Sequence, residues 1–261
     1  MIIQLQDVSF AYTNEVPVFQ HFNWDVQHGE HWTILGTSGC GKSTLLYLLA
    51  GLQTPLAGQI IINEELLQRP RPQTGLILQD YGLLPWATLR DNVSLGLRIR
   101  DYYGPDGKHA PINEIIPQIE ARAEHWISQL GLAAIGDKYP GQVSGGQRQR
   151  TAIARTLSLN PDIILMDEPF SSLDILTRES LYEIVFELWN ENHITTILVT
   201  HTIEDALKLG NKILILANPP NQEAIILDNP IAGQYSKNIN PDYDQVEKIT
   251  LQLKQYLEES Q

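Results

Sequence analysis

The sequence predicts an α/β fold built on a mainly parallel sheet, and three observations predict it. Short apolar runs recur at residues 32–35, 58–62, 74–78, 163–166, 196–199, 213–216 and 224–227. Each has the length of a buried strand and is bounded by turn residues. Stretches of helical spacing separate several of them, and strands alternating with helices imply parallel pairing through crossovers. The third observation is a phosphate-binding loop at one junction, Gly36-Thr37-Ser38-Gly39-Cys40-Gly41-Lys42-Ser43-Thr44.

In chain order, Ile3, Leu5, Val8 and Phe10 lie among polar neighbours, and Val18, Phe19, Phe22, Trp24 and Val26 follow a turn at 14–17. Both segments read as strands. Residues 32–35 lead into the glycine-rich loop and 43–50 lead out as a helix, the context that makes a P-loop. Its glycines let several N–H groups face one anion, and the helix adds the positive end of its dipole. Lys42 would reach the β- and γ-phosphates and the Ser43 hydroxyl would ligate Mg²⁺. Strands at 58–62 and 74–78 follow, the second closing at Gln79.

From about residue 80 the pattern turns helical. Ile115, Ile116, Ile119, Trp126, Ile127 and Leu130 fall at helical spacing within 112–132, residues 101–108 read as an exposed loop, and a helix covers about 144–159. After the returning strands, Val246, Ile249, Leu253, Tyr256 and Leu257 give one apolar helix face. Its polar face is not basic, so the tail reads as a helix packed on its own core rather than a membrane anchor.

Composition narrows the function class. A chain of 261 residues buries a full core. No apolar run approaches the ~18 residues of a membrane span, and the start has no secretory pattern. The single cysteine, Cys40, suits a reducing compartment, and cytosolic placement is the expectation. A formal net charge of −13 disfavours a nucleic-acid partner.

Four further strings follow in fixed order. Val143-Ser144-Gly145-Gly146-Gln147-Arg148-Gln149-Arg150 resembles the LSGGQ signature of ABC ATPases, and Ile163-Ile164-Leu165-Met166-Asp167-Glu168-Pro169 resembles a Walker B strand with its adjoining glutamate. Ser172-Leu173-Asp174 is similar to the D-loop, and His201 to the switch histidine, while Gln79 matches the Q-loop. The resemblance covers about residues 1–230. It implies a P-loop NTPase core at 1–79 and 156–230, an N-terminal antiparallel β subdomain, a helical insert at about 80–155 and a separate tail at 231–261. Val143 for the usual Leu, Thr202 after the histidine and Ser172 in the D-loop depart from the family pattern without removing a catalytic group.

Each residue also has a physical reading. Asp167, at the end of an apolar strand, could help coordinate Mg²⁺ with Ser43 and Gln79, and Glu168 could polarise the attacking water as general base; the pair could also cap the turn at Pro169. Ser144, Gly145 and Gly146 open a helix and make a second anion site. Ser144 alone reads equally as an N-cap. The resemblance implies that two cassettes pack head to tail, with Ser144, Gly145, Gly146, Gln147 and Asp174 of one chain at the ATP held by the other. Tyr12 matches the aromatic that stacks on adenine, or is core. His201 would bond the γ-phosphate. Cys40 lies where Lys42 could depress a thiol pKa, or is a small residue the loop tolerates.

Residues 79–86 with Asp91-Asn92-Val93, the string Leu173-Asp174-Ile175-Leu176-Thr177-Arg178 and the run 200–206 resemble the ATPases of nitrate, sulfonate and taurine-type importers. That likeness implies an ATP-hydrolysing subunit coupled to a separate permease docking near 80–95, on the inner face of the cell membrane, with a solute-binding protein as indirect partner. Leu83, Leu84 and Trp86 serve that docking or pack locally. The alternatives are an ABC ATPase acting on DNA or ribosomes, and a regulatory cassette without turnover.

Overall fold

Alternating burial makes the first strands. In β1 (Ile3–Phe10) and β2 (Phe19–Val26), Ile3, Leu5, Val8, Phe10, Phe22, Trp24 and Val26 all turn inward. The computed structural model describes every residue except 14, 113, 115–118, 172, 193, 236–238, 240, 260 and 261. The expected turn at 14 and the apolar positions Ile115 and Ile116 therefore lie outside the described residues. The chain divides into two units, Met1–Pro70 with Phe186–Gln261, and Arg71–Val185.

In the first unit, β3 (His31–Gly36) is an almost wholly buried strand that ends at the phosphate loop, and α1 (Lys42–Leu49) leaves it. β4 (Ala57–Ile62) and the short β5 (Glu65–Leu66) complete an antiparallel sheet of order β2-β1-β4-β5.

The second unit opens with β6 (Thr74–Ile77) and continues through α2 (Leu89–Tyr103), α3 (Ile119–Gln129) and α4 (Gly145–Leu157). β7 (Ile163–Asp167) is buried throughout and pairs in parallel with β6, Ile77 opposite Met166. Residues 101–103, expected as loop, extend α2. The helix stops at Gly104, whose φ of 71° few other residues adopt. Just before that stop, Arg100 is buried: its guanidinium donates to both Glu114 carboxylate oxygens at 2.6 and 2.8 Å, to the Leu159 carbonyl at 2.9 Å and to the Pro72 carbonyl. Arg122 donates to the same carboxylate. A buried charge with these partners ties the helix end to the chain beyond the loop. The unit closes along α5 (Ile175–Asn192).

Back in the first unit come β8 (Thr195–Thr200), α6 (Ile203–Leu209), β9 (Lys212–Leu216), β10 (Ile225–Asp228), α7 (Ala232–Tyr235) and α8 (Tyr243–Glu259). β3 lies between β8 and β9, parallel to both, and β10 adds an antiparallel edge. Strands buried on both faces need continuous apolar runs, which is why β3, β8 and β9 do not alternate, whereas the edge strand β10 alternates between half-buried and exposed positions. The apolar stripe of α8 is covered as expected: Ile249 and Leu253 are buried against Leu35, Ala206, Leu207, Ile213, Ile215 and Ile231. Burying such a leucine contributes about 1.5–3 kcal/mol.

Candidate functional site

The phosphate loop starts where β3 runs out. Gly36 has no room for a side chain, since a Cβ would stand 2.5 Å from Cys40 Sγ and 2.7 Å from the Leu216 carbonyl oxygen. Gly39 and Gly41 have φ of 83° and 107°, so the backbone doubles back before α1. Between them, Cys40 faces inward, and burial pushes its thiol pKa up against the opposing charge of Lys42. The packing reading of Cys40 is the one the geometry supports.

Lys42 is 7% exposed, and its ammonium donates to the Gly36 and Thr37 carbonyls at 2.9 and 2.8 Å. The charge is thereby held within the loop at the start of α1. Ser38 is exposed and Ser43 half-buried, and Thr44 Oγ1 lies 3.1 Å from the Tyr12 hydroxyl. Tyr12 is 38% exposed and stands edge-on to Phe10 at 5.1 Å. It is an exposed ring fixed to the phosphate loop, not a core residue.

Strand register brings His201 to the same edge. Leu35 pairs with Thr200, so β3 and β8 release Gly36 and His201 at one level. Thr200 donates to Asp205 at 2.7 Å, and Thr202 caps α6 by accepting the Asp205 N–H. Thr202, a departure from the family pattern, thus has a structural duty in the turn behind the histidine.

The second unit repeats this logic. Because Ile77 pairs with Met166, Gln79 and Glu168 emerge level, and Gln79 Nε2 donates to Glu168 Oε2 at 3.5 Å. Asp167 is 4% exposed at the end of β7. Glu168 takes φ of 44°, rare for a residue with a side chain and a strain of about 1–2 kcal/mol. Such strain concentrates at functional sites. The turn beyond is closed by the Glu168 main-chain carbonyl, which accepts the Ser171 N–H at 3.3 Å and its hydroxyl at 3.0 Å.

Ser144 is the N-cap of α4. Its hydroxyl accepts the Gln147 N–H at 3.3 Å, and Gln147 Oε1 accepts the Ser144 N–H at 3.0 Å, a reciprocal capping box. Gly145 and Gly146 form the first turn of this helix. Asp174 accepts two bonds from Thr177, which hold its carboxyl below the usual range. Ser172 lies outside the described residues.

Three residues in supporting roles were not legible in the sequence. Asn221 is buried and donates to the Cys40 and Val18 carbonyls at 2.9 and 3.2 Å, tying the phosphate loop to the residue that precedes β2. Arg155 donates to the Gly82 and Tyr81 carbonyls at 2.6 and 2.9 Å, pinning the segment after Gln79. Asn92, fully buried, accepts the Leu84 N–H at 2.7 Å and donates to the carbonyls of Thr88 at 2.8 Å and of Leu84 and Ala87 at 3.2 Å. It folds the loop that carries Trp86, 75% exposed. Asn92 appears only as part of a motif string in the sequence, and Asn221 and Arg155 carry no local signal at all.

The chain is similar to known proteins along most of its length. The family model described as "ABC transporter" matches residues 19–171. The aliphatic sulfonates import ATP-binding protein SsuB of Bacillus cereus is 34% identical over 259 residues, covering 98% of this chain and 97% of that protein. The bicarbonate transport ATP-binding protein CmpD of Synechocystis is 35% identical over 222 residues, 84% of this chain and 75% of the relative. Among solved structures, the dimeric ATP-binding cassette MJ0796 in its post-hydrolysis state with ADP and Pi superposes with a TM-score of 0.73 at 28% identity, covering 87% of this chain and 98% of that one. The chain belongs to the ABC transporter family, as an ATP-binding and ATP-hydrolysing subunit.

Proposed function

We propose that this chain powers an importer of a small solute of the sulfonate, nitrate and bicarbonate class, working as a head-to-tail dimer on a separate permease. The observation that carries the reading is end-to-end similarity to a sulfonate import ATPase, joined to a Glu168 held level with Gln79. Transport relatives give no support to a role on DNA or ribosomes.

In this reading Tyr12 stacks on adenine, and the N–H groups of Gly36, Ser38, Gly39, Cys40 and Gly41 bind the phosphate chain with Lys42 and Thr44. The Ser43 hydroxyl and the Asp167 carboxylate, with the Gln79 side chain, are hard oxygen donors of the kind that hold Mg²⁺. That ion neutralises phosphate charge when bound. Glu168 takes a proton from the attacking water and His201 hydrogen-bonds the γ-phosphate. Ser144, Gly145, Gly146, Gln147 and Asp174 complete the partner's site, and loss of the γ-phosphate releases the closed dimer.

The exposed Trp86, with half-buried Leu83 and Leu84, supports residues 80–95 as the permease-docking surface. No helix among the described residues is long and apolar enough to cross a membrane. In this reading, docking on the permease holds the chain peripherally on the inner face, and it meets a solute-binding protein only through the permease. Glu168→Gln tests the catalytic reading: the variant is expected to bind ATP, turn it over at least a hundredfold more slowly and accumulate a dimer. Unchanged turnover would remove Glu168 from the base role. Recovery of a multi-span permease with tagged protein tests the transport role, and recovery of ribosomes or soluble partners alone would sink it.

A further inference from the structure

Asp174 and Gly146 belong to separate sequence motifs, yet one side chain between them touches both. Thr177, in the first turn of α5, donates its main-chain N–H to Asp174 Oδ1 at 3.0 Å and its hydroxyl to Asp174 Oδ2 at 2.7 Å. Each carboxylate oxygen is therefore held by a different donor. In the other direction, Thr177 Cγ2 lies 2.2 Å from where a Cβ on Gly146 would stand, with Thr177 Oγ1 at 3.7 Å from that point. The methyl, not the hydroxyl, faces the glycine, and α4 and α5 can approach here only because residue 146 has no side chain.

We propose that Thr177 is a positioning residue that couples the two motifs, its methyl packed on Gly146 and its hydroxyl fixing the orientation of the Asp174 carboxylate. This rests on the reading that both motifs face the partner's ATP. A threonine is stiff about χ1, so the two contacts set each other: once the methyl is seated, the hydroxyl has one direction left. Serine supplies only the hydroxyl and valine only the methyl. An exposed aspartate held by the main-chain N–H alone would rotate about its terminal torsion, which is broad. The second bond removes that freedom before the partner arrives, and pre-set geometry is where binding gains most.

The test uses the full chain carrying Glu168→Gln, with the ATP-driven dimer measured by sedimentation equilibrium. Affinity of the dilute monomer for a fluorescent ATP analogue and thermal melting are measured alongside. Thr177→Val is expected to raise the dimer dissociation constant about tenfold, with monomer nucleotide affinity unchanged and melting only slightly lower. Thr177→Ser is expected to stay within about twofold of the parent in dimer affinity while melting slightly lower. A valine variant that dimerises like its parent overturns the proposal. So does a serine variant that weakens the dimer as much as valine, because packing alone would then explain both. A parent chain that fails to dimerise with ATP refutes the underlying dimer reading and the proposal with it, before any Thr177 variant is measured.

Discussion

Replacing Asn92 by alanine should loosen the Trp86 loop without touching the nucleotide site. The amide is wholly buried and makes its two shortest bonds to the Leu84 N–H at 2.7 Å and the Thr88 carbonyl at 2.8 Å. Each such bond contributes about 1 kcal/mol net, and a buried N–H left without a partner costs roughly 1–3 kcal/mol. The longer contacts to Leu84 and Ala87 share the same two amide hydrogens and add less. Losing the Thr88 bond and leaving the Leu84 N–H without its partner together cost about 2–4 kcal/mol, partly recovered where water reaches the loop. For a chain of this size that lowers the melting temperature by roughly 5–15 °C. Calorimetry reads the shift, and amide exchange reads where it arises, with protection at residues 80–88 lost first. Affinity for ATP in the isolated protein should not change, whereas turnover stimulated by the permease should fall at least tenfold. An Asn92→Ala chain melting within about 1 °C of wild type, with unaltered exchange in the loop, would refute the reasoning.

Other expectations follow from single sites. His31 stacks on Trp189 at 4.0 Å, and burial lowers its pKa to about 4 against the opposing charge of Glu30. The unfolded chain protonates this group near 6.5, so folding stability is full above that pH and falls as pH drops towards 4, by up to about 3 kcal/mol. His31→Phe should flatten this slope in denaturant melts between pH 4 and 7, and an unchanged slope assigns it elsewhere. Glu114→Gln leaves the Arg100 and Arg122 guanidinium groups facing a neutral partner and should destabilise by about 3–5 kcal/mol; denaturant titration checks it, and a loss under 1 kcal/mol would contradict the buried-pair account. Gly41→Ala forces a side chain onto φ of 107° with its Cβ 2.5 Å from Val18 Cγ1. Affinity for ATP should fall at least tenfold in equilibrium titration, and retained affinity would show that the loop adapts.

The strands were legible because a strand buried on both faces has little choice of residues: β3, β7 and β8 are apolar runs broken only by threonines and by terminal His31, Gly36 and Asp167. The α8 stripe was legible for the same reason, burial imposing helical spacing on Ile249 and Leu253. The end of α2 was not. Residues 101–103 look like a loop by composition, and only Arg100, held by Glu114 and by carbonyls distant in sequence, explains why the helix continues.

The site divides in the same way. A loop that cradles phosphate needs glycines, a lysine and a hydroxyl at set spacing, so Gly36 to Thr44 stand out from the sequence alone, and Asp167 with Glu168 stand out as paired carboxylates at the end of an apolar run. What only the tertiary structure decided is which groups become neighbours: Gln79 beside Glu168 through the register of β6 and β7, Tyr12 on Thr44, Asn221 under Cys40, and Thr177 between Asp174 and Gly146. The physical reason is that chemistry at a phosphate restricts residue type locally, whereas a hydrogen bond or a close approach across the fold restricts only the distance between residues far apart in the chain.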